Sequence, residues 1–136
     1  MRIVLDTNVL LISLKKGSTY RPILDGIIKN QYDLIISNEI LSEYLEIIGQ
    51  KTSPTIANNI GDFLINRSNV KKIDVYYHFN LIKDDPDDNK FVDCAITGNV
   101  KYVVTNDKHF NILKEIPFPK VDIIKADDFL KEIEAL

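Results

Sequence analysis

The sequence predicts an α/β fold, a three-layer α/β/α sandwich around a central parallel sheet of about five strands. Three observations predict it. Short apolar runs at residues 2–5, 33–36 and 101–105 alternate with longer stretches whose apolar residues recur at helical spacing. The runs are apolar at consecutive positions, as in strands covered on both faces. Each run also ends in polar residues (Asp6, Ser37, and Thr105-Asn106-Asp107), and in an open parallel sheet the ligand crevice lies beyond those strand ends.

The elements follow in order. After the first strand, Asp6-Thr7-Asn8 offers capping side chains for a helix carrying Val9, Leu10, Leu11 and Leu14. A basic break at Lys15-Lys16-Gly17-Ser18-Thr19 precedes a helix over residues 20–30, with Ile23, Leu24, Ile27 and Ile28 on one face. Strand 33–36 leads through Ser37 into a helix whose stripe is Ile40, Leu41, Tyr44, Leu45 and Ile48, with Glu39, Glu43 and Glu46 off it. Ser53-Pro54 starts the next helix, which buries Ile56, Ala57, Ile60, Phe63 and Leu64. Residues 70–75 form a weaker strand; Lys71 and Lys72 place it at a sheet edge. A helix over 89–97 stops at Gly98-Asn99. Strand 101–105, a short helix through Phe110 and Leu113, a loop at Pro117 and Pro119, strand 121–124 and a helix over 126–136 complete the reading, with Asp127 as the last helix's cap.

The 136 residues suit one domain, 1–136, with a substantial core. Hydrophobic residues at 45% and charged residues at 27% are the balance of a soluble globular protein. No run is long enough to span a bilayer, and Asp6 interrupts the N-terminal apolar stretch, so no secretory signal and a cytoplasmic location are expected. The single cysteine, Cys94, excludes an intrachain disulfide and a cysteine zinc cluster. His78 and His109 match no zinc spacing and read as ordinary surface or loop residues. A net charge of −3 argues against nucleic-acid binding by bulk positive charge, but not against an enzyme whose metal ions supply that charge locally.

Residues 83–95 concentrate Asp84, Asp85, Asp87, Asp88 and Asp93. One explanation is a helix start, with Asp85 as N-cap, Pro86 as first residue and Asp87 and Asp88 in a first turn that favours negative charge. The other is a site for a hard divalent cation. Asp6 and Asp107 end strands at the same sheet edge, and Glu43 lies within two helical turns of it. Independent capping does not predict that these acids converge. By helical rotation Asp88 heads the buried stripe with Val92 and Ala95, while Asp87 turns to solvent. Asp93 is either on the crevice rim, as a further metal ligand, or a solvent-facing helix residue.

With these residues placed, the chain resembles the PIN-domain nucleases along essentially its whole length. LDTNVLL resembles that family's first acidic motif, SNEILSEYLEII its second, DPDDNKFVDCA its third and VVTNDKHF its fourth. The DPDD form is similar to a bacterial and archaeal branch described as toxins of toxin–antitoxin systems. The resemblance implies Mg²⁺- or Mn²⁺-dependent hydrolysis of RNA phosphodiester bonds, with Asp6, Glu43, Asp88 and Asp107 holding one or two ions. Two-metal chemistry activates water and stabilises the leaving oxygen without a protein nucleophile. Thr7, Asn8, Ser37, Thr105 and Asn106 are candidates to fix carboxylates or waters. Lys15, Lys16 and Arg21 are candidates to meet the RNA backbone. The same resemblance implies a cognate antitoxin and a homodimer, for which Ile65, outside the stripe of Phe63 and Leu64, is the sequence sign. Two rivals remain. One is a receiver-like Mg²⁺-binding signalling domain, which Thr105 and Lys125 fit but the lone Asp6 and poorly placed Asp74 do not. The other is a catalytically silent PIN fold that binds RNA or protein, against which the intact acid set stands.

Overall fold

Ile3, Val4, Leu5, Val103 and Val104 are fully buried side by side, because the first and fourth strands form the middle of the sheet. The computed structural model describes residues 1–136. Its strands are β1 (Arg2–Leu5), β2 (Asp33–Ile36), β3 (Val70–Lys72), β4 (Tyr102–Val104) and β5 (Ile123–Ile124). Its helices are α1 (Thr7–Ser13), α2 (Arg21–Ile28), α3 (Asn38–Lys51), α4 (Pro54–Ile65), α5 (Asn89–Gly98) and α6 (Ala126–Glu134). Two 3₁₀ segments, Pro86–Asp88 and Lys108–Glu115, precede α5 and follow β4.

All five strands are parallel, in the order β3-β2-β1-β4-β5, and helices flank the sheet. This is the expected α/β class. The order also removes the receiver reading, because receivers use 2-1-3-4-5. In the present order the chain reverses direction between β1 and β4, and such a switch point is where open sheets form their ligand crevice. Leu5 pairs with Val104, so Asp6 and Thr105 leave adjacent strands at the same level.

Local chemistry explains most boundaries. The Ser37 and Ser53 hydroxyls accept from the amides of Ile40 and Ile56 and cap α3 and α4, with Pro54 in the first turn of α4. At the end of α5 the left-handed residue is Asn99, with φ 49°. Gly98 serves a different purpose there: a Cβ on it would lie 2.9 Å from Ile35 Cγ2, so its bareness lets α5 approach β2. The last helix is not capped by Asp127. Lys125 occupies the N-cap position, and Asn106 Oδ1 accepts from the Ala126 amide at 3.0 Å.

β3 is shorter than expected and lies at the edge, as its lysines require. Beyond it, residues 73–83 run without regular structure. Two buried side chains of α5 pin this segment. Asn89 exchanges two hydrogen bonds with the Ile82 backbone, both 2.8 Å, and Asp93 accepts from the Phe79 amide at 3.0 Å. No helix is long and apolar enough to cross a membrane.

Candidate metal centre

Asp6 leaves β1 with its amide donating to Val104 O at 3.0 Å, and its carbonyl starts α1 by accepting from Val9 and Leu10. Its side chain is buried and does not cap the helix. Instead Oδ2 accepts from the Thr105 hydroxyl at 2.7 Å. Thr105 Oγ1 in turn accepts from the Asp107 amide at 3.0 Å. Thr105 thereby ties the first acid of the crevice to the loop that carries the last. Burial raises the Asp6 pKa above the usual carboxylate range; the Thr105 hydroxyl and the Asn8 amide oppose this, and the charges of Asp107 and Glu43 add to it.

Asp88 closes the 3₁₀ turn that opens α5, and its side chain is 13% exposed. Its Oδ2 is buried and has no hydrogen-bond partner. Burial, then the charges of Asp85, Asp107 and Asp6, push its pKa up to about 7, with His109 acting in the opposite sense. Around Asp88, one ligand atom each from Asp85, Asp88, Asp107 and His109 lie within 4.8 Å of one another. His109 Nδ1 is 3.2 Å from Asp107 Oδ1, 3.7 Å from Asp85 Oδ2 and 4.0 Å from Asp88 Oδ2.

Glu43 approaches from α3 but is differently engaged. The Thr7 hydroxyl donates to its Oε2, and Lys90 Nζ lies 2.9 Å from its Oε1. Lys90 also donates to Asp87 O at 2.8 Å, so α3, α5 and the turn before α5 are tied at one point. The fully buried Tyr44, one residue further along α3, donates to Leu5 O at 2.6 Å and fixes α3 against the end of β1.

The structure therefore gathers Asp6, Asp88 and Asp107 at the switch point, with Glu43 beside them. Asp107 both faces the cluster and caps the following 3₁₀ segment through the His109 amide, at 2.9 Å. Several expectations need correction. Asp85 stands at the N-cap position but makes no side-chain cap bond; its carboxylate belongs to the cluster. His109 is not an ordinary surface residue but a member of that cluster. Asp93 is not a solvent-facing residue: it is buried, accepts the Phe79 N–H and lies 3.2 Å from His78 Nδ1. Among the supporting candidates, Thr7 and Thr105 hold acids, whereas Ser37 caps α3 and Asn106 caps α6. Asn8 is exposed at the start of α1. Arg21 is committed to Asp25 and to Leu14 O, while Lys15 and Lys16 lie exposed in the turn after α1. Sequence reasoning missed Lys90 altogether. The signal for His109 was its place two residues after Asp107 at a strand end.

Removing the Thr105 hydroxyl should be felt at Asp6. Thr105→Val leaves a buried carboxylate short of its donor, and loss of such a supporting hydrogen bond typically lowers metal affinity or activity by about 10–100-fold. A Mn²⁺ titration of the variant by calorimetry, with its melting curve as a fold control, checks this.

Unpartnered, buried Asp88 Oδ2 beside two further carboxylates and an imidazole is a donor set that fits a hard divalent cation. A parallel sheet with an acidic cleft at its switch point defines the class of α/β domain to which this fold belongs. The chain belongs to the PIN domain family, whose sequence profile matches residues 2–109. No curated protein sequence matches it. Among solved structures it is similar to VapBC2 of Rickettsia felis, bound to a DNA fragment from their promoter, with 22% identity and a TM-score of 0.63 over 92% of this chain and 98% of that one. It is similar to DNA-bound VapBC of Salmonella typhimurium, with 19% identity and a TM-score of 0.63 over 93% and 98%. It is also similar to Mycobacterium tuberculosis VapC20, a Sarcin-Ricin loop cleaving toxin, with 11% identity and a TM-score of 0.58 over 80% and 92%. At these identities the likeness establishes the fold.

Proposed function

We propose that this protein is a cytoplasmic Mg²⁺- or Mn²⁺-dependent endoribonuclease, the toxin of a type II toxin–antitoxin pair. The observation that carries the reading is Asp88 Oδ2, buried without a partner among Asp85, Asp107 and His109 and within the field of Asp6. Family membership supports nuclease chemistry. The structural neighbour described as a Sarcin-Ricin loop cleaving toxin supports RNA as substrate, and the VapBC complexes support an antitoxin partner.

In this reading Asp88 and Asp107 hold the ion, and Asp6, oriented by Thr105, faces it from β1. When bound, a divalent ion supplies an acidified water and charge stabilisation at the phosphate. The chain's own groups do the rest. Thr7 and Lys90 hold Glu43 at the crevice edge, and Lys90 offsets part of the negative field that would otherwise repel RNA. Lys15 and Lys16 are free to meet the RNA backbone. Self-association belongs to the same reading; α4 leaves Ile56 and Ile65 exposed, Ile65 by 60%. Light scattering at micromolar concentration should give a dimer.

The direct test incubates a mixed RNA pool with the protein and Mn²⁺, with and without EDTA. Cleavage in Mn²⁺ and its loss in EDTA are expected, and Asp6→Asn should be inactive while melting cooperatively. Equal cleavage by Asp6→Asn and wild type would remove the nuclease assignment.

A further inference from the structure

We propose that the metal centre of this chain takes a nitrogen ligand, with His109 Nδ1 and Asp85 joining Asp88 and Asp107, and that Glu43 is held out of that set. The inference rests on the crevice being a divalent-metal site. It goes beyond the four acids that the family resemblance implies, because it adds two residues and sets one aside.

The distances support it. Ligands around a small octahedral cation, each ~2.1 Å from the ion, lie ~3 Å apart when adjacent and ~4.2 Å apart when opposite. His109 Nδ1 stands 3.2, 3.7 and 4.0 Å from one oxygen each of Asp107, Asp85 and Asp88. All three separations fall in that span. The His109 amide donates to Asp107 Oδ1 at 2.9 Å, which fixes the backbone that carries the imidazole beside the cluster. Its ring remains 42% exposed, so little else competes for it. Asp88 Oδ2 has no partner and faces this group.

Glu43 presents the opposite case. Both its oxygens are engaged, one by Thr7 and the other by Lys90. An ion held by Glu43 would stand beside the Lys90 ammonium, 2.9 Å from Oε1, and that like-charge repulsion disfavours Glu43 as a ligand. On this geometry Glu43 is a positioning residue that anchors Lys90.

Imidazole favours Mn²⁺, and Co²⁺ or Ni²⁺ still more, over Mg²⁺, which prefers an all-oxygen shell. The bland alternative is that His109 is only the counter-ion of three carboxylates. It makes the opposite prediction, because an incoming cation would then expel the imidazole.

The test is Mn²⁺ binding to the intact protein, followed by calorimetry and by pulsed electron paramagnetic resonance. Wild type should show ¹⁴N modulation on bound Mn²⁺ and bind Mn²⁺ at least ~10-fold more tightly than Mg²⁺. In His109→Gln the nitrogen signal should vanish and Mn²⁺ affinity fall ~10-fold or more, with Mg²⁺ affinity nearly unchanged. Asp85→Asn should weaken both ions. Melting curves verify that each variant folds. Oxygen-only Mn²⁺ in wild type, or a nitrogen signal that survives His109→Gln, overturns the inference. If that oxygen-only Mn²⁺ is lost in Asp88→Asn, the metal-site reading stands and the nitrogen ligand alone fails; no Mn²⁺ binding at all overturns both.

Discussion

Asp88→Asn should abolish RNA cleavage, by about 10³-fold or more, and at the same time make the metal-free protein more stable at neutral pH. The loss should exceed the 10–100-fold typical of residues that merely support a metal ligand, because Asp88 supplies the unpartnered oxygen at the centre of the cluster. The gain in stability follows from linkage. The folded pKa of Asp88 is about 7, against an ordinary 3.8. An acid whose pKa is raised on folding holds its proton preferentially in the folded state. Its contribution to stability is therefore full below pH ~4 and lost as pH rises through about 7. Partial contact with water screens the effect to about 1–2 kcal/mol. Metal-free wild type should thus melt progressively lower between pH 5 and 7.5, and Asp88→Asn should flatten that slope. Saturating Mn²⁺ should restore wild type, by ~2.7 kcal/mol at 100 times the dissociation constant, and leave Asp88→Asn unmoved. Parallel melting curves with and without Mn²⁺ check each statement. A variant with an unchanged pH slope would show that Asp88 is not the strained group.

Asp93→Ala should act on the opposite property. It is expected to destabilise the fold by about 2 kcal/mol while leaving Mn²⁺ binding within a few-fold of wild type. The carboxylate is 3% exposed and accepts the Phe79 amide, and hydrogen bonds to charged groups contribute about 1.5–3 kcal/mol. Its loss frees the segment after β3. Denaturant unfolding should report the lower stability, and hydrogen exchange should show the Phe79 amide losing protection first. If metal binding disappears with stability intact, Asp93 belongs to the metal site after all.

These two aspartates also show what the sequence could and could not reveal. The α/β class was legible because Ile3 to Leu5, Leu34 to Ile36 and Val103 to Val104 are uninterrupted apolar runs alternating with helical stretches, as in a sheet covered on both faces. Asp6, Asp88 and Asp107 were legible because each follows or faces a strand end. Asp93 was not. Helical rotation assumes that the side of α5 away from the sheet meets water, yet residues 91–95 are buried all round. The cover there is residues 73–83, which have no period to read. Asp85 and His109 were missed for a related reason. A residue at a cap position looks already used, but the turn at Pro86–Asp88 is 3₁₀, and it swings Asp85 towards the loop after β4. The Glu43–Lys90 pair joins residues 47 apart in sequence, and neither motif indicates the other.

The bond between Thr105 and Asp6 spans 99 positions of the chain. A ribosome adding ~5–20 residues per second needs roughly 5–20 s to pass from one partner to the other. Until then β1 has no β4 beside it, and the acids of the first half face no counterpart. On the nuclease reading proposed above, a nascent chain leaves the RNA of the machine that makes it intact, since no local segment brings Asp6, Asp88 and Asp107 together.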